Sequence, residues 1–193
     1  NYQRSLLIGF SMGGSILMKY LGVHGKEVPA PVIGGIAFSS PCDLKASVDA
    51  LELPGNGFYK RRFFKSLSEK VTEKAAHFPG RLDLSKLSEI GHWREFDEHY
   101  SAPLGGYKDA ADFYRQASAK NFMNGNDRTI LLVNAVNDPI LPPVCSPVSL
   151  CRAHPKIYLE MPESGGHVGF SLAHKPYAWS EYRAVQFLKE LLN

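Results

Sequence analysis

The sequence has 193 residues, 44% hydrophobic and 21% charged, a composition that excludes a disordered chain and gives one globular domain enough apolar material for a sizeable core. Its 22 basic and 19 acidic residues leave a net charge of +3, too small an excess for its overall field to hold nucleic acid or an anionic membrane. Three cysteines, Cys42, Cys145 and Cys151, show no CxxC spacing, so they read as buried apolar side chains in a reducing, cytoplasmic setting rather than as a disulfide framework or zinc knuckle.

Ser5-Leu6-Leu7-Ile8 is a short apolar run ending at a glycine, the pattern of a buried parallel strand. Behind it, Met12, Ile16, Leu17, Tyr20 and Leu21 recur at helical spacing, with Gly22 as the predicted C-cap. Val32 to Ser39 predicts a second strand, closed by Ser40-Pro41. Thr129 to Val136 predicts a third, ended by Asn137-Asp138-Pro139, and Lys156 to Met161 a fourth, ended by Pro162. Tyr177 to Leu192 predicts a closing amphipathic helix with Trp179, Tyr182, Val185, Phe187, Leu188 and Leu191 on its packing face. No apolar run approaches the roughly 20 residues that cross a bilayer, and no charged-then-apolar leader precedes Ser5.

Strands alternating with helices predict an α/β fold with a mostly parallel sheet of about four strands. The stretch from residue 43 to 128 is far longer than one crossover requires. It is read as a helical cap inserted into one domain spanning 1–193, containing Tyr59 to Val71, the acidic run Glu89 to Glu98 and a helix from Asp109 to Ala119.

Gly9-Phe10-Ser11-Met12-Gly13 fits G-x-S-x-G, in which a serine occupies a strained turn between strand and helix and glycines remove side chains that would clash. Such a turn exposes the hydroxyl and puts the Met12 N–H at a helix N-terminus, where partial positive charge favours an oxyanion. The competing reading is a glycine-rich turn with an N-capping serine. A serine nucleophile needs an imidazole to take its proton and a carboxylate to orient that imidazole. Asp138 follows the third strand and His167 the fourth, in Gly165-Gly166-His167-Val168-Gly169, so both fall on the same sheet edge as Ser11. Asp138 is also read as a turn opener, and His167 as a loop histidine without function. Asp43, after the second strand, is an alternative acid, whereas Asp127 precedes its strand and His174 lies outside the glycine loop. The order Ser, Asp, His, each beyond a parallel strand, is that of α/β-hydrolases.

The chain resembles the YheT-like branch of the α/β-hydrolases. The likeness is carried by GFSMGGSILMKYLG (9–22), FDEHYSAPLGGYKDAADFYRQAS (96–118), NAVNDPILPP (134–143) and GGHVGF (165–170). It implies a serine hydrolase acting on carboxylic, lipid or acyl esters through an acyl-enzyme, with Ser11 as nucleophile, Asp138 as acid, His167 as base and no metal or organic cofactor. Acyl transfer to an alcohol and a non-catalytic binding protein on the same fold are the alternatives. The resemblance also implies strands ahead of Ser5 and a loop giving a second oxyanion N–H. On that expectation the chain is the C-terminal half of a longer enzyme, with an unpaired strand edge and turnover lowered roughly a hundred- to thousandfold by the lost donor.

Two weaker patterns remain. Phe58-Tyr59-Lys60-Arg61-Arg62-Phe63-Phe64-Lys65 reads either as a helix with a solvated charged face and a buried aromatic one, or as a lipid contact of the cap. His92, Glu95 and His99 lack HExxH spacing, and the glycine pairs at 34–35 and 105–106 form no nucleotide loop.

Overall fold

A computed structural model describes residues 2–193. Among them, β1 (Ser5–Phe10), β2 (Val32–Phe38), β3 (Thr129–Val133) and β4 (Ile157–Glu160) form one parallel sheet in the order β1-β2-β3-β4. Parallel neighbours require each connection to carry the chain back to the starting end. Helix α1 (Met12–His24) does this between β1 and β2. Between β2 and β3 lie α2 (Leu44–Leu51), α3 (Gly57–His77), the short α4 (Trp93–Phe96), a π-helical turn over Asp97–Ser101, the single turn α5 (Ala102–Leu104) and α6 (Ala110–Ala117). Helix α7 (Val148–Ala153) precedes β4, and α8 (Trp179–Leu192) closes the chain.

Successive side chains of a strand point to opposite faces, and the core divides accordingly. Ala37, Ile130, Leu132 and Ile157 join Leu17, Met18 and Leu21 of α1 in one buried cluster. Ile36, Phe38, Leu131 and Val133 join Phe170 and Phe187 of α8 in another. Helices therefore cover both faces, which is why β2 and β3 read as unbroken apolar runs. On β1, which pairs only with β2 among the described residues, Ile8 and Phe10 stay 47% and 45% exposed.

The structure moves several predicted boundaries. Helix α1 runs past Gly22 and ends at Gly25, whose φ of 47° is the left-handed value that glycine accepts without a Cβ penalty. A Cβ on Gly22 would sit 2.4 Å from the Phe122 carbonyl oxygen, so that glycine serves close packing instead. Strand β3 stops at Val133, where the Asn134 side chain turns inward to accept from Ser40 N–H (2.8 Å) and donate to the Cys145 carbonyl (2.9 Å). On α1, Met12 and Ile16 are exposed while Met18 is buried. On α8, Phe187 is buried with Trp179, Ala184 and Leu191 against it, whereas Tyr182 and Val185 point outward.

Candidate active site

Ser11 occupies the turn between β1 and α1 with φ 50° and ψ −124°, a strained conformation for a residue with a Cβ. Its amide donates to the Phe38 carbonyl at 2.8 Å, pinning the turn to the end of β2. The side chain makes no N-capping bond, so the capping alternative fails. A Cβ on Gly9 would lie 2.4 Å from the Gly13 carbonyl oxygen, and one on Gly14 would lie 3.1 Å from Ser40 Cβ. At Gly13 it would meet nothing within 4 Å, so the close approach is at positions 9 and 14 rather than at both glycines of the five-residue pattern. The Met12 N–H, at the first position of α1, has no hydrogen-bond acceptor among the described residues. It lies at the positive end of the helix.

The loops after β3 and β4 bring Asp138 and His167 to this turn. His167 Nε2 lies 2.9 Å from Ser11 Oγ, and Nδ1 lies 2.9 Å from Asp138 Oδ2. The imidazole and carboxyl side chains are 3% and 0% exposed, so water does not compete for the bond between them. Asp138 does open a turn, since its Oδ1 accepts from Ile140 N–H at 3.0 Å, and the second oxygen is left for the imidazole. The rings of Tyr59 and Phe63 flank His167 with centroids at 6.0 and 6.4 Å.

The alternative partners are engaged elsewhere. Asp43 caps α2 by accepting from Ala46 N–H at 3.1 Å and pairs with Lys120. Asp127 pairs with Lys156 at 2.6 Å at the opposite end of β3. His92 and Glu95 build the start of α4, where Glu95 accepts from the Gly91 and His92 amides at 2.9 and 3.1 Å. The three cysteines are buried and unbridged, and burial pushes the thiols of Cys145 and Cys151 up to about 11 and that of Cys42 further up.

Two side chains that sequence reasoning did not single out hold the histidine loop. Asn137 Oδ1 accepts from Gly165 and Gly166 N–H at 3.0 and 2.8 Å, and Ser39 Oγ accepts from Val168 N–H at 3.0 Å. Asn137 lay inside a stretch read as a turn. Ser39 carries no sequence signal, because its φ of 47° is not legible from a serine.

Ser11 and Met12 open into a cavity of about 420 Å³ whose wall is mainly apolar, with Leu44, Val48, Leu51, Phe63, Leu67 and Trp93 contributing. Asp97, Ser101 and Tyr114 add polar groups to the same wall.

A parallel sheet with helices on both faces, and a strained serine beyond its first strand, define the class to which the comparisons also lead. The chain belongs to the alpha/beta hydrolase fold family, whose sequence model matches residues 1–173. It is 33% identical to the YheT protein of Escherichia coli over 96% of this chain and 55% of that protein. It is also 28% identical to phospholipase ABHD3 of Mus musculus over 86% of this chain and 40% of that protein. The chain thus spans about half the length of these curated relatives. An esterase from Pyrococcus furiosus superposes with a TM-score of 0.55 at 18% identity, over 99% of this chain and 55% of that one, a likeness of fold.

Proposed function

We propose that the protein cleaves carboxylic esters with an apolar acyl chain through a covalent acyl-enzyme on Ser11. The observation that carries this reading is the hydrogen-bonded line from Ser11 Oγ through both nitrogens of His167 to Asp138, at 2.9 Å on each side. Ser11 Oγ attacks the ester carbonyl while His167 Nε2 takes its proton. Asp138 holds the Nδ1–H tautomer and stabilises the imidazolium. The carbonyl oxygen becomes an oxyanion beside the free Met12 N–H. His167 then gives the proton to the leaving alcohol, and water repeats the sequence in reverse to release the acid. No metal or organic cofactor enters these steps.

The apolar cavity beside Ser11 receives the acyl chain, and residues 43–128, the source of most of its lining, act as the cap that sets acyl preference. A relative that carries the name phospholipase supports an ester of a lipid. The outer face of α3 turns exposed Phe58, Arg61 and Arg62 to solvent, which supports a peripheral contact of this cap with lipid.

A fluorophosphonate probe tests the nucleophile directly: Ser11 is expected to be labelled, and Ser11→Ala to abolish both labelling and ester turnover. A folded chain whose Ser11 stays unlabelled sinks the reading in favour of a non-catalytic binding protein. Product analysis with added alcohol separates hydrolysis from acyl transfer.

A further inference from the structure

The wall of the cavity beside Ser11 is not uniformly apolar. Asp97, at the head of the π-helical turn, and Ser101, at its end, line it together with Tyr114 of α6. Asp97 is 4% exposed and forms no ion pair among the described residues. Its Oδ2 accepts the Tyr114 hydroxyl at 2.7 Å. Burial pushes this carboxyl up, against hydrogen bonds from Ser101 and Tyr114 that pull the other way. Burial and the adjacent carboxylate push the Tyr114 hydroxyl up as well.

Tyr114 takes one of the Asp97 oxygens, and a carboxyl has lone pairs for more than one donor, so the buried acid keeps acceptor capacity toward whatever fills the space. A wholly hydrocarbon chain gives those lone pairs no further partner. A neutral hydroxyl does, because it both donates to a carboxyl oxygen and accepts from a protonated one. A carboxylate on the substrate would bring a second acidic group into the same desolvated space and be disfavoured there. We propose that Asp97, with Tyr114 and Ser101, forms a hydroxyl-recognition subsite in the acyl cavity, so that the favoured substrates are esters whose acyl chain carries a hydroxyl. This rests on the ester-cleaving reading of Ser11 and specifies its substrate.

The test uses fluorophosphonates bearing a straight alkyl chain or the same chain hydroxylated at successive carbons, with labelling of Ser11 as the readout. In each, the Ser11 oxygen–phosphorus bond forms, fluoride leaves and His167 takes the proton. One hydroxyl position is expected to label the unaltered chain about tenfold faster than the plain chain. That gain is expected to vanish in Asp97→Leu and return in Asp97→Asn, which restores a donor and an acceptor. Where Asp97→Leu gives no cooperative melt, Tyr114→Phe, which keeps the ring and removes the hydroxyl that orients Asp97, is expected to shrink the gain. A plain chain that labels as fast as every hydroxylated one overturns the subsite and leaves the ester reading standing. If no probe labels Ser11, the ester reading fails first and the subsite falls with it.

Discussion

Ser39 Oγ accepts the backbone N–H of Val168 at 3.0 Å, which fastens the residue after His167 to the end of β2. On the other side of the imidazole, Asn137 Oδ1 takes the amides of Gly165 and Gly166. The loop is therefore clamped on both flanks of His167, and Val168 is held at a φ of 61° that a β-branched residue seldom adopts.

Removing either clamp is expected to misplace the imidazole before it unfolds the sheet. Ser39→Ala and Asn137→Ala should each slow fluorophosphonate labelling of Ser11 by roughly tenfold or more, since small misplacements at a reacting centre cost that much or more. Each should lower stability in urea by about 1 kcal/mol for the unpaired amides. Asn137→Asp, which keeps the acceptor, should recover most of the labelling rate. Stability losses with unchanged labelling would leave the two residues a purely structural role.

Asp138 and Asp43 separate cleanly by what they touch. Asp138→Asn removes the carboxylate that fixes the imidazole tautomer and should lower ester turnover roughly ten-thousandfold. Asp43→Asn keeps a capping side chain on α2 and loses only the charge that Lys120 meets. Turnover should stay within about twofold and stability should fall by no more than about 1 kcal/mol, because the Lys120 partner is partly exposed. Reversed effects in a turnover assay would assign the acid to Asp43.

The sheet and the serine turn were legible because each is written locally. Buried parallel strands leave apolar runs such as Thr129 to Val133, and a strained turn leaves glycines at fixed offsets from Ser11. Asp138 and His167 could be read because the strand ends put both on one edge. The rest depends on partners distant in sequence. Tyr182 and Val185 continue a helical apolar pattern, yet the face of α8 that meets the sheet is set by the orientation of the whole helix. The pair Asp97 and Tyr114 joins two helical segments 17 residues apart, and no spacing rule makes an acid seek a phenol.

Local geometry also ranks the glycines of the turn. Gly9→Ala would drive a methyl to 2.4 Å from backbone that has nowhere to move, and is expected to cost at least about 2 kcal/mol in a urea titration. Gly13→Ala meets open space in the first turns of α1, where alanine is the better helix former. It should be neutral or stabilising by up to about 1 kcal/mol.

Glu52 joins three helices of the segment between β2 and β3. One oxygen accepts from Trp93 N–H at 2.6 Å, and the other meets Lys60 Nζ at 2.6 Å and His92 at 3.3 Å. Burial pushes this carboxyl up, but the bonds from Lys60, Trp93 and His92 outweigh it and hold it below its ordinary 4.5. A carboxyl lowered by folding stabilises fully above its unfolded value, and that contribution drains as pH falls through the lowered folded value. Glu52→Gln should therefore melt at a lower temperature than the parent at pH 7, and the gap should close as the melts are repeated at pH values falling below about 4.5. A gap that persists in acid would exclude the charge as its source.

The two faces of α3 differ in what they meet. Tyr59, Phe63 and Phe64 turn inward onto Leu51 and Trp93, so the helix does bury an aromatic face. Phe58 nevertheless remains 61% exposed, and Arg61 and Arg62 beside it form no ion pair among the described residues. An exposed ring flanked by free guanidinium groups complements an anionic lipid surface. The chain is expected to co-sediment with vesicles of phosphatidylcholine and phosphatidylserine more strongly than with phosphatidylcholine alone, and less so as salt rises. At about fivefold per cation, the double variant Arg61→Gln with Arg62→Gln should weaken that partition about 25-fold. Ile16→Lys, on an exposed apolar position of α1, should leave it unchanged. Binding that ignores lipid charge, or that falls with Ile16→Lys and not with the arginine variant, would assign the contact to the apolar surface of β1 and α1 and remove α3 from any role at the membrane.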